Sequence, residues 1–454
     1  MISKKIKAVS FVATMGLFAS AVYAEQESQI QRLGADLTPL GAVKSGSEDG
    51  RIPDWTGGLP VDAAPVNNGF MSNPFPDDEP LFTITASNYQ EYEENLSEGQ
   101  VAMLENYPDT YKIPVYESRR TAAVPDDIAE AAKNSVRYVK TVNDGNGLSG
   151  FSKSRYYARP FPEKGVDVIW NHMTRYRGGS LSRVMAQVSP YANGDYALVL
   201  FDDIFAYPET VEGATEEHME SVLFFYKQEV LKPARLSGGV LLAHETIDQV
   251  KEPRRVWIYN SGQRRVRRAP QVAYDGPGQA ADGQRVADNL DIYNGSPDKY
   301  NWELKGKKEV YIPYNSYDLA SPELNYSDIF KAGHINQSHT RYELHRVWVV
   351  EATLKDGERH VYAKRTFYVD EDTWQIALQD MYDGKGELWR IAEGHIIQYY
   401  DNKVPSYAGE TLYDLLNGRY LAMGFSNEQD SGPQFGLKSE LRDFSPSALR
   451  QSGR

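Results

Sequence analysis

The sequence predicts an α+β protein whose C-terminal half is one large antiparallel meander of strands. Two observations carry this prediction. Segments rich in β-branched and aromatic residues follow one another through the C-terminal half, and only short turns separate them. Short turns between consecutive strands make neighbouring strands antiparallel. Helical patterns fall mostly before this half or between its parts, which is typical of the α+β class.

The first 24 residues are expected to be a cleavable signal peptide. Three lysines among the first seven residues precede an apolar stretch from Ala8 to Ala21, and Val22-Tyr23-Ala24 places small residues before the predicted cleavage site. The apolar stretch is short for a bilayer span, and a retained anchor is the alternative. The chain has no cysteine, so it offers no thiol for a lipid anchor and forms no disulfide. We predict cleavage after Ala24 and an unanchored protein outside the cytoplasm.

Charge excludes some classes of partner. The formal net charge is −14, and loss of residues 1–24, with three lysines and no acid, would make it −17. Such an acidic chain argues against general nucleic-acid binding and against docking on anionic lipid by bulk charge. Without disulfides, a hydrophobic core must hold the fold, which a chain of this size can supply as one domain or two.

Helix signals lie in the N-terminal half. Residues 25–80, rich in Gly, Pro, Asp and Asn, are expected to form an irregular arm pinned to the body near Trp55. Helices are predicted for Asn88–Tyr107, Pro125–Val142 and Thr215–Leu231. The second and third begin with acids, which the helix dipole favours, and the third carries an apolar stripe.

Strand signals dominate the rest of the chain. The predicted strands are Leu181–Pro190, Asp195–Ile204, Arg235–Glu245, Arg254–Tyr259, Glu303–Tyr314, Tyr342–Leu354, His360–Val369, Trp374–Tyr382 and Glu387–Tyr399. We therefore divide the chain into the signal peptide (1–24), the arm (25–80), a single curved-sheet domain with helical insertions (81–425) and a C-terminal tail (426–454).

Enzyme motifs are hard to find in this sequence. Cysteine nucleophiles are excluded, no Gly-x-Ser-x-Gly motif occurs, and no Gly-rich phosphate loop follows a strand. We predict a protein that is not an enzyme and has no cofactor and no metal. A hydrolase built from Asp167 and His172 remains a third hypothesis.

Four aspartates lie in a Gly-rich stretch: Asp275, Asp282, Asp288 and Asp291. Carboxylate oxygens of this kind could bind calcium. No EF-hand spacing supports that reading, and a solvated acidic loop is the simpler one.

An arginine-rich hairpin is the most unusual local feature. Arg254 and Arg255 are followed by Arg264, Arg265, Arg267 and Arg268. Alternation along a strand places guanidinium groups on both faces of such a hairpin. Because Arg makes bidentate contacts with phosphate and carboxylate, the last four are candidates for recognising an anionic headgroup or an acidic partner. A solvated hairpin paired with surface acids is the alternative.

Arginines also stand among apolar residues on predicted strands. Arg346 shares a strand face with Trp348 and Val350, and Arg365 shares one with Phe367. Such an arginine could orient a ligand at a cavity mouth, tie down a covering helix, or be a paired residue of an ordinary core. With two aromatic residues of the strand before the arginine hairpin, the candidate ligand-binding residues are Trp257, Tyr259, Arg346, Trp348, Val350, Arg365 and Phe367.

Several segments together resemble a family of Gram-negative periplasmic proteins of unassigned function, labelled outer-membrane-lipoprotein-sorting-like. The matching segments include Ile52–Gly58, Ile169–His172, Arg264–Pro270, His345–Ala352 and Tyr382–Gly384. The resemblance implies a fold like that of the lipoprotein carriers LolA and LolB: a strongly curved, unclosed antiparallel half-barrel with helices over its concave side. It also implies a location in the periplasm beside an inner-membrane exporter of the resistance-nodulation-division type and an outer-membrane partner.

These observations favour a periplasmic binding or carrier protein for a lipid or another hydrophobic molecule. The alternative is an accessory subunit of an envelope transport complex that binds no ligand and docks through its arginine hairpin. A co-purifying apolar ligand would discriminate the first reading from the second.

Overall fold

The structure is a computed structural model that describes residues 23–269 and 274–452. The predicted signal peptide, residues 1–24, therefore lies outside the described residues except for its last two. No helix in the described part of the chain is long and apolar enough to cross a membrane.

The described helices are short. They are α1 (23–32), α2 (Glu98–Asn106), α3 (Asp126–Tyr138), α4 (Gly165–Met173), α5 (Glu216–Ser221), α6 (Tyr326–Ile329) and α7 (Leu449–Ser452).

The strands carry most of the regular structure. They are β1 (Val66–Asn67), β2 (Phe70–Met71), β3 (Phe82–Ile84), β4 (Ile113–Val115), β5 (Lys140–Val142), β6 (Gly147–Ser149), β7 (Leu181–Pro190), β8 (Tyr196–Ala206), β9 (Val211–Glu212), β10 (Val222–Lys232), β11 (Val240–Thr246), β12 (Arg255–Asn260), β13 (Arg265–Arg268), β14 (Tyr300–Pro313), β15 (Tyr342–Leu354), β16 (Lys364–Asp370), β17 (Ile376–Tyr382), β18 (Leu388–Tyr399), β19 (Val404–Asp414), β20 (Arg419–Phe425), β21 (Gln434–Phe435) and β22 (Ser439–Glu440).

The structure confirms the predicted helices only in part. The first begins as two short 3-10 turns and becomes helical in α2, and the second ends at Tyr138 before β5. The prediction for Thr215–Leu231 is wrong beyond Ser221, where the chain enters β10. Residues 222–226 read Val-Leu-Phe-Phe-Tyr and are buried at every position. A short apolar run buried on both sides fits a central strand as well as a helix, and β-branched and aromatic residues favour the strand.

Two antiparallel meanders join edge to edge in the main sheet. The first meander has the strand order β7-β8-β10-β11-β12-β13, and the second contains β14 to β20 in sequence order. Strand β7 pairs with β20, which joins the two meanders into one sheet. Beside β14, the short strands β4 and β3 extend the sheet beyond β15. In the described part of the chain, none of these three strands pairs with β13, so the sheet stays open. The predicted α+β class with a large unclosed antiparallel sheet is confirmed.

Both faces of the second meander are covered. Cross-strand partners Val350 and Phe367 share one face, and α4 packs on it, with Gly165 against Val350. On β17, Asp380 points to the opposite face, and Gly99 of α2 packs against it. Burial at nearly every position of β16 to β20 follows from this double cover. We call the side of the sheet under α4 the α4 face.

The connection from β13 to β14 has to pass from one edge of the sheet to the other. Residues 274–299 make this passage over the α4 face with little regular structure, and we call them the crossing segment. Its contacts follow the strand order. The carbonyls of Gln279 and Ala280 accept hydrogen bonds from Gln187 of β7, the Ile292 amide donates to Glu410 of β19, and other residues reach β16, β18 and β20.

The N-terminal arm and the C-terminal tail pack on the same body. The indole nitrogen of Trp55 donates to the carbonyl of Ala122 at 2.9 Å, as expected for a residue that pins the arm. In the tail, β21 pairs with β7, and Phe444 and Leu449 are buried beside β11. The domain boundaries at residues 80 and 425 remain predictions.

Candidate ligand-binding face

Helix α4 is positioned by its first turn. The Oδ2 atom of Asp167 accepts hydrogen bonds from the backbone amides of Glu163 and Lys164, both at 3.0 Å, which satisfies donors ahead of the helix. Gly165 lets the helix approach the sheet, because a Cβ there would lie 2.9 Å from a methyl of Val350. Every residue of α4 is buried, so the helix is part of the interior.

Arg365 forms the first ion pair between the α4 face and the crossing segment. Its Nη2 donates to Oδ2 of Asp288 at 2.7 Å, and His360 contacts the same oxygen at 3.1 Å. The guanidinium lies about 5 Å from the ring centres of three tyrosines (Tyr293, Tyr300 and Tyr362). Burial acts to lower the pKa of Arg365, but Asp288 outweighs it, so the pKa rises and the arginine stays charged.

Asp291 of the crossing segment forms the second ion pair. Its carboxylate accepts two hydrogen bonds from Arg175, at 2.8 Å and 2.5 Å, and one from Arg177 at 2.5 Å. Burial raises the pKa of Asp291, and the two arginines overcome that effect and hold it well below its usual range. His172, at the end of α4, places Nε2 2.9 Å from the Asp291 carbonyl. Burial lowers the pKa of His172 to about 3, so this histidine is neutral.

Two further arginines hold the middle of the crossing segment. Arg390 donates to the carbonyl of Gly283 at 2.9 Å and pairs with Asp414 on the neighbouring strand. Arg419 pairs with Asp282 at 2.6 Å near the rim, where the Asp282 side chain is 54% exposed. The crossing segment thus lies against a row of arginines, and its own aspartates neutralise several of them.

The aspartates of this segment were expected to be either calcium ligands or a solvated acidic loop. Neither reading holds for Asp288, which is buried against Arg365, or for Asp291, whose side chain is 15% exposed and pairs with Arg175. The close spacing of Arg175 and Arg177 indicated that these arginines could share an acidic partner. That partner, Asp291, lies more than a hundred residues away in the sequence. Only the fold brings these residues together.

The predicted ligand-binding residues fall into three places. Val350, Phe367 and Arg365 lie together on the α4 face under α4 and the crossing segment. Trp257 and Tyr259 lie at the far end of the sheet, where Trp257 packs against His244 at a ring distance of 4.8 Å.

Arg346 and Trp348 lie beneath the N-terminal arm. Arg346 pairs with Glu371 at 2.6 Å and donates to the carbonyls of Val43 and Ser45. Trp348 stacks on Trp374 at 6.1 Å. Arg346 therefore ties down an irregular covering segment, whereas the role that the sequence left open was that of tying down a covering helix.

The arginine hairpin is exposed on the edge strand β13 and the turn before it. Arg264, Arg265, Arg267 and Arg268 all face solvent, and within residues 23–269 and 274–452 none of them forms an ion pair. Arg267 pairs across the strands with Ile258, itself 43% exposed. The hairpin presents positive charge on the edge of an otherwise acidic protein.

One group of side chains has the composition of a metal site. His345, Asp370 and Asp372 offer ligand atoms within 4.8 Å of one another. Arg120, however, makes a bidentate ion pair with Asp372, at 2.6 Å and 2.8 Å. A guanidinium at this position neutralises the carboxylate that a cation would need, so the residues fit a buried ion-pair network better than a metal.

The hydrolase hypothesis required Asp167 and His172 to act together. Asp167 binds backbone amides at the start of α4, whereas His172 lies at its other end with Nδ1 accepting from the Ile376 amide at 3.2 Å. Five positions apart on one helix, they do not form an acid–base pair.

Comparison with known proteins places this architecture in a family. Residues 83–450 match the model of the family described as "Protein of unknown function (DUF1329)". The protein of Pseudomonas aeruginosa called "Uncharacterized protein PA3922" is 55% identical over 455 residues, covering 100% of both chains.

Solved structures give more distant matches. An outer membrane lipoprotein-sorting protein domain from Vibrio parahaemolyticus is 16% identical with a TM-score of 0.44, covering 63% of this chain and 98% of that one. A DUF1329 family protein from Desulfovibrio piger is 14% identical with a TM-score of 0.42, covering 60% and 92%. The LolA superfamily protein NE2245 from Nitrosomonas europaea is 11% identical with a TM-score of 0.38, covering 63% and 98%. Because the family model spans most of the sequence and a full-length relative shares more than half of its residues, this chain belongs to the DUF1329 family, as its motifs indicated.

Proposed function

We propose that this protein is a periplasmic binding protein that takes up an amphipathic, anionic ligand on its α4 face when the crossing segment moves aside. The observation that carries the proposal is the pairing of Arg365 with Asp288 and of Arg175 with Asp291. In each pair the arginine belongs to the body and the aspartate to the crossing segment. The segment therefore holds the arginines in the way that an anionic ligand would.

The surface beneath the segment suits such a ligand. Displacement of the segment would remove the partners that five guanidinium groups have on it (Arg175, Arg177, Arg365, Arg390 and Arg419), while Arg390 would keep its pair with Asp414. Arginine in a water-poor setting favours phosphate and carboxylate because it makes paired, charge-assisted hydrogen bonds. Apolar side chains share the same face and would contact the rest of the molecule (Val350, Phe367, Leu412 and Leu421).

This proposal keeps the lipid or hydrophobic ligand predicted from the sequence and adds an acidic group to it. An inner-membrane exporter and an outer-membrane partner, which the resemblance implies, would then supply and receive the ligand. Binding without catalysis is part of the proposal, since Asp167 and His172 do not form an acid–base pair.

A cleavable cross-link tests whether the crossing segment has to move. The chain has no cysteine, so the double variant Asp282→Cys/Arg419→Cys carries the only two thiols. The native side chains meet at 2.6 Å at the rim of the face, within reach of a short bis-maleimide with a reducible spacer. The probes are a dansyl-labelled fatty acid and the uncharged amide of the same chain.

We expect the uncross-linked variant to bind the fatty acid more tightly than the amide. Cross-linking should abolish binding of the acid, and reduction of the spacer should restore it. Equal binding before and after cross-linking would contradict the proposal, as would equal affinity for acid and amide.

The accessory-subunit hypothesis keeps a specific observation in its favour, the exposed arginine hairpin on an edge strand. Reversal of all four arginines to glutamate (Arg264, Arg265, Arg267 and Arg268) should abolish co-purification of an acidic envelope protein if the hairpin docks it. Unchanged co-purification would exclude the hairpin as that surface. The fatty-acid assay is the control, because the hairpin lies away from the α4 face.

A further inference from the structure

The first half of the crossing segment covers a second polar group, the side chains of Arg183, Gln187, Asp203 and Arg285, which we call the Arg285 cluster. Arg183 of β7 lies directly opposite Asp203 of β8, and Gln187 lies four positions further along β7, so the three side chains share one face. Arg285 belongs to the crossing segment. The segment also accepts two hydrogen bonds from the Gln187 amide through its backbone carbonyls.

Arg285 is buried, and no counter-ion for it lies in the part of the chain that the structure describes. It is 6% exposed, forms no ion pair with any residue of the described ranges, and its Nε has no hydrogen-bond partner there. The negative groups whose charges act on Arg285 are Tyr226, Glu410 and Asp203. Burial lowers the pKa of Arg285, as expected for a cation without a close partner. A buried arginine in this state is costly unless something else satisfies it.

The neighbours of Arg285 carry unsatisfied atoms of both kinds. Among residues 23–269 and 274–452, Nε of Arg183 is a buried donor without a partner, while Oε1 of Gln187 and Oδ2 of Asp203 are buried acceptors without a hydrogen bond. Arg183 and Asp203 approach only to 3.7 Å, which is too long for a hydrogen bond. Buried polar atoms are nearly always paired, so these atoms are expected to hold a polar guest, either water or a ligand.

The charged groups around the cluster indicate whether the bound group should be a cation or an anion. Two guanidinium groups face Asp203 and Glu410. Burial and the charge of Asp291 raise the pKa of Glu410, so this carboxyl contributes less than a full negative charge near neutral pH. The cluster therefore has an excess of positive charge and needs an anion.

We propose that the Arg285 cluster binds a phosphate group in its protonated, singly charged form. Phosphate oxygens would accept from Arg183 and Arg285, and the P–OH would donate to Asp203 or Gln187. A phosphate monoester has its second pKa near 6, so the protonated form is accessible close to neutral pH. This inference goes beyond the proposed function, because the cluster is assembled while the crossing segment lies on β7 and does not require that segment to move aside.

The backbone of the crossing segment positions Arg285 for this task. A Cβ at Gly278 would lie 2.7 Å from Cγ and 2.9 Å from Cζ of Arg285. The Arg285 side chain therefore lies directly against Gly278, and a larger residue at position 278 would occupy its space. Gly278→Ala should displace the guanidinium without removing its charge.

The probes are inorganic phosphate, sulfate, dihexanoyl phosphatidate and dihexanoyl phosphatidylcholine, each titrated into the full-length protein by calorimetry. Sulfate matches phosphate in shape but carries no proton at neutral pH, so it cannot donate to Asp203. We expect phosphate to bind more tightly than sulfate. If the phosphate belongs to a lipid, phosphatidate should bind more tightly than inorganic phosphate, and equal affinity would identify free phosphate as the ligand.

The decisive variant is Arg285→Met, with Arg268→Met on the exposed hairpin as its control. Loss of charge-assisted hydrogen bonds should weaken phosphate binding at least about tenfold. The same change should raise the urea midpoint of the free protein, because it removes a buried charge that no protein group satisfies. Gly278→Ala should also weaken binding, while the control should change neither quantity.

A purely structural arginine would give the opposite pattern, a lower urea midpoint in Arg285→Met and no difference between phosphate and sulfate. That result would overturn the inference. The cross-link experiment tests the proposed function independently of the Arg285 cluster. If the fatty acid still binds and the cross-link still blocks it, but Arg285→Met binds phosphate as the wild type does, this inference fails while the proposed function stands.

Discussion

Asp291 accepts hydrogen bonds from both terminal nitrogens of Arg175, at 2.8 Å and 2.5 Å. One residue lies on the crossing segment and the other follows α4, so this pair joins the segment to the helix beneath it. The carboxylate also accepts from Arg177, and two buried guanidinium groups therefore depend on one acid.

We expect Asp291→Asn to lower the free energy of unfolding by about 3–5 kcal/mol, because an amide leaves both arginines without a charged partner in a buried site. Urea denaturation at neutral pH measures this. The matched control is Asp282→Asn, whose pair with Arg419 is partly exposed and should be worth no more than about 1 kcal/mol. Equal losses in the two variants would contradict the assignment of Asp291 as the main attachment.

The buried carboxyl of Glu393 should make the free energy of unfolding depend on pH. Its carboxyl is buried and accepts hydrogen bonds from Tyr342 at 2.9 Å and Tyr111 at 3.1 Å, and burial raises its pKa to about 7. A raised pKa means that the folded state holds its proton after the unfolded state has lost it. The resulting stability is full below pH 4.5 and disappears as the pH rises through 7.

Glu393→Gln removes this titration. The free energy of unfolding of the variant, relative to wild type, should increase by about 3 kcal/mol between pH 4.5 and pH 8, since each pKa unit corresponds to about 1.4 kcal/mol. Urea unfolding at the two pH values measures the difference. Glu48→Gln, at an exposed position, should show no such change. A constant offset between wild type and Glu393→Gln would show that Glu393 does not hold its proton in the folded state.

The strands were the most predictable part of this protein. Leu181–Pro190 and Tyr342–Leu354 match β7 and β15 at both ends, because β-branched and aromatic residues run there between clear turn signals. Strand β19 was not predicted: Val404–Asp414 contains Pro, Gly and two acids, and its conformation depends on pairing with β18 and β20. Local pattern does not report such pairing.

The candidate site was less predictable than the sheet, for a topological reason. The sequence singled out Arg365 and Phe367 by their alternation, but it gave no indication that β7 would pair with β20. That single non-local pairing puts β13 and β14 at opposite edges and sends the crossing segment over the α4 face. The partnership of Arg365 with Asp288, 77 residues apart, follows from the topology and not from any local motif.

The contact of α4 with the sheet gives a third prediction. A Cβ at Gly165 would lie 2.9 Å from the carbonyl carbon of Glu303 and 2.9 Å from a methyl of Val350. Since backbone cannot yield as a flexible side chain does, Gly165→Ala should cost about 1–3 kcal/mol. Gly384→Ala is the control, because nothing lies within 4 Å of a Cβ at that turn position. Comparable stability of the two variants would mean that α4 can shift away from β14 and β15 at little cost.

Arg120 is the main attachment of the N-terminal arm. It makes a bidentate pair with Asp372, at 2.6 Å and 2.8 Å, and also donates to the carbonyls of Val43 at 2.8 Å and Lys44 at 3.0 Å. One buried guanidinium therefore binds both the arm and the turn between β16 and β17. Arg346 holds the same stretch of the arm from the neighbouring strand, so the two arginines act on one segment.

Arg120→Gln should release the arm before it affects the sheet. Removal of the cation leaves Asp372 buried without its partner, at a cost of about 3–5 kcal/mol, and the carbonyls of Val43 and Lys44 lose their hydrogen bonds from Arg120. Hydrogen exchange followed by mass spectrometry should show faster exchange at the Trp55 amide, which donates to the Lys44 carbonyl at 2.8 Å, with little change in β18 and β19. Arg51→Gln, which removes an exposed pair with Asp49, should leave the exchange of the arm near that of the wild type. Uniform acceleration over the whole chain in Arg120→Gln would instead assign Arg120 to the stability of the entire fold.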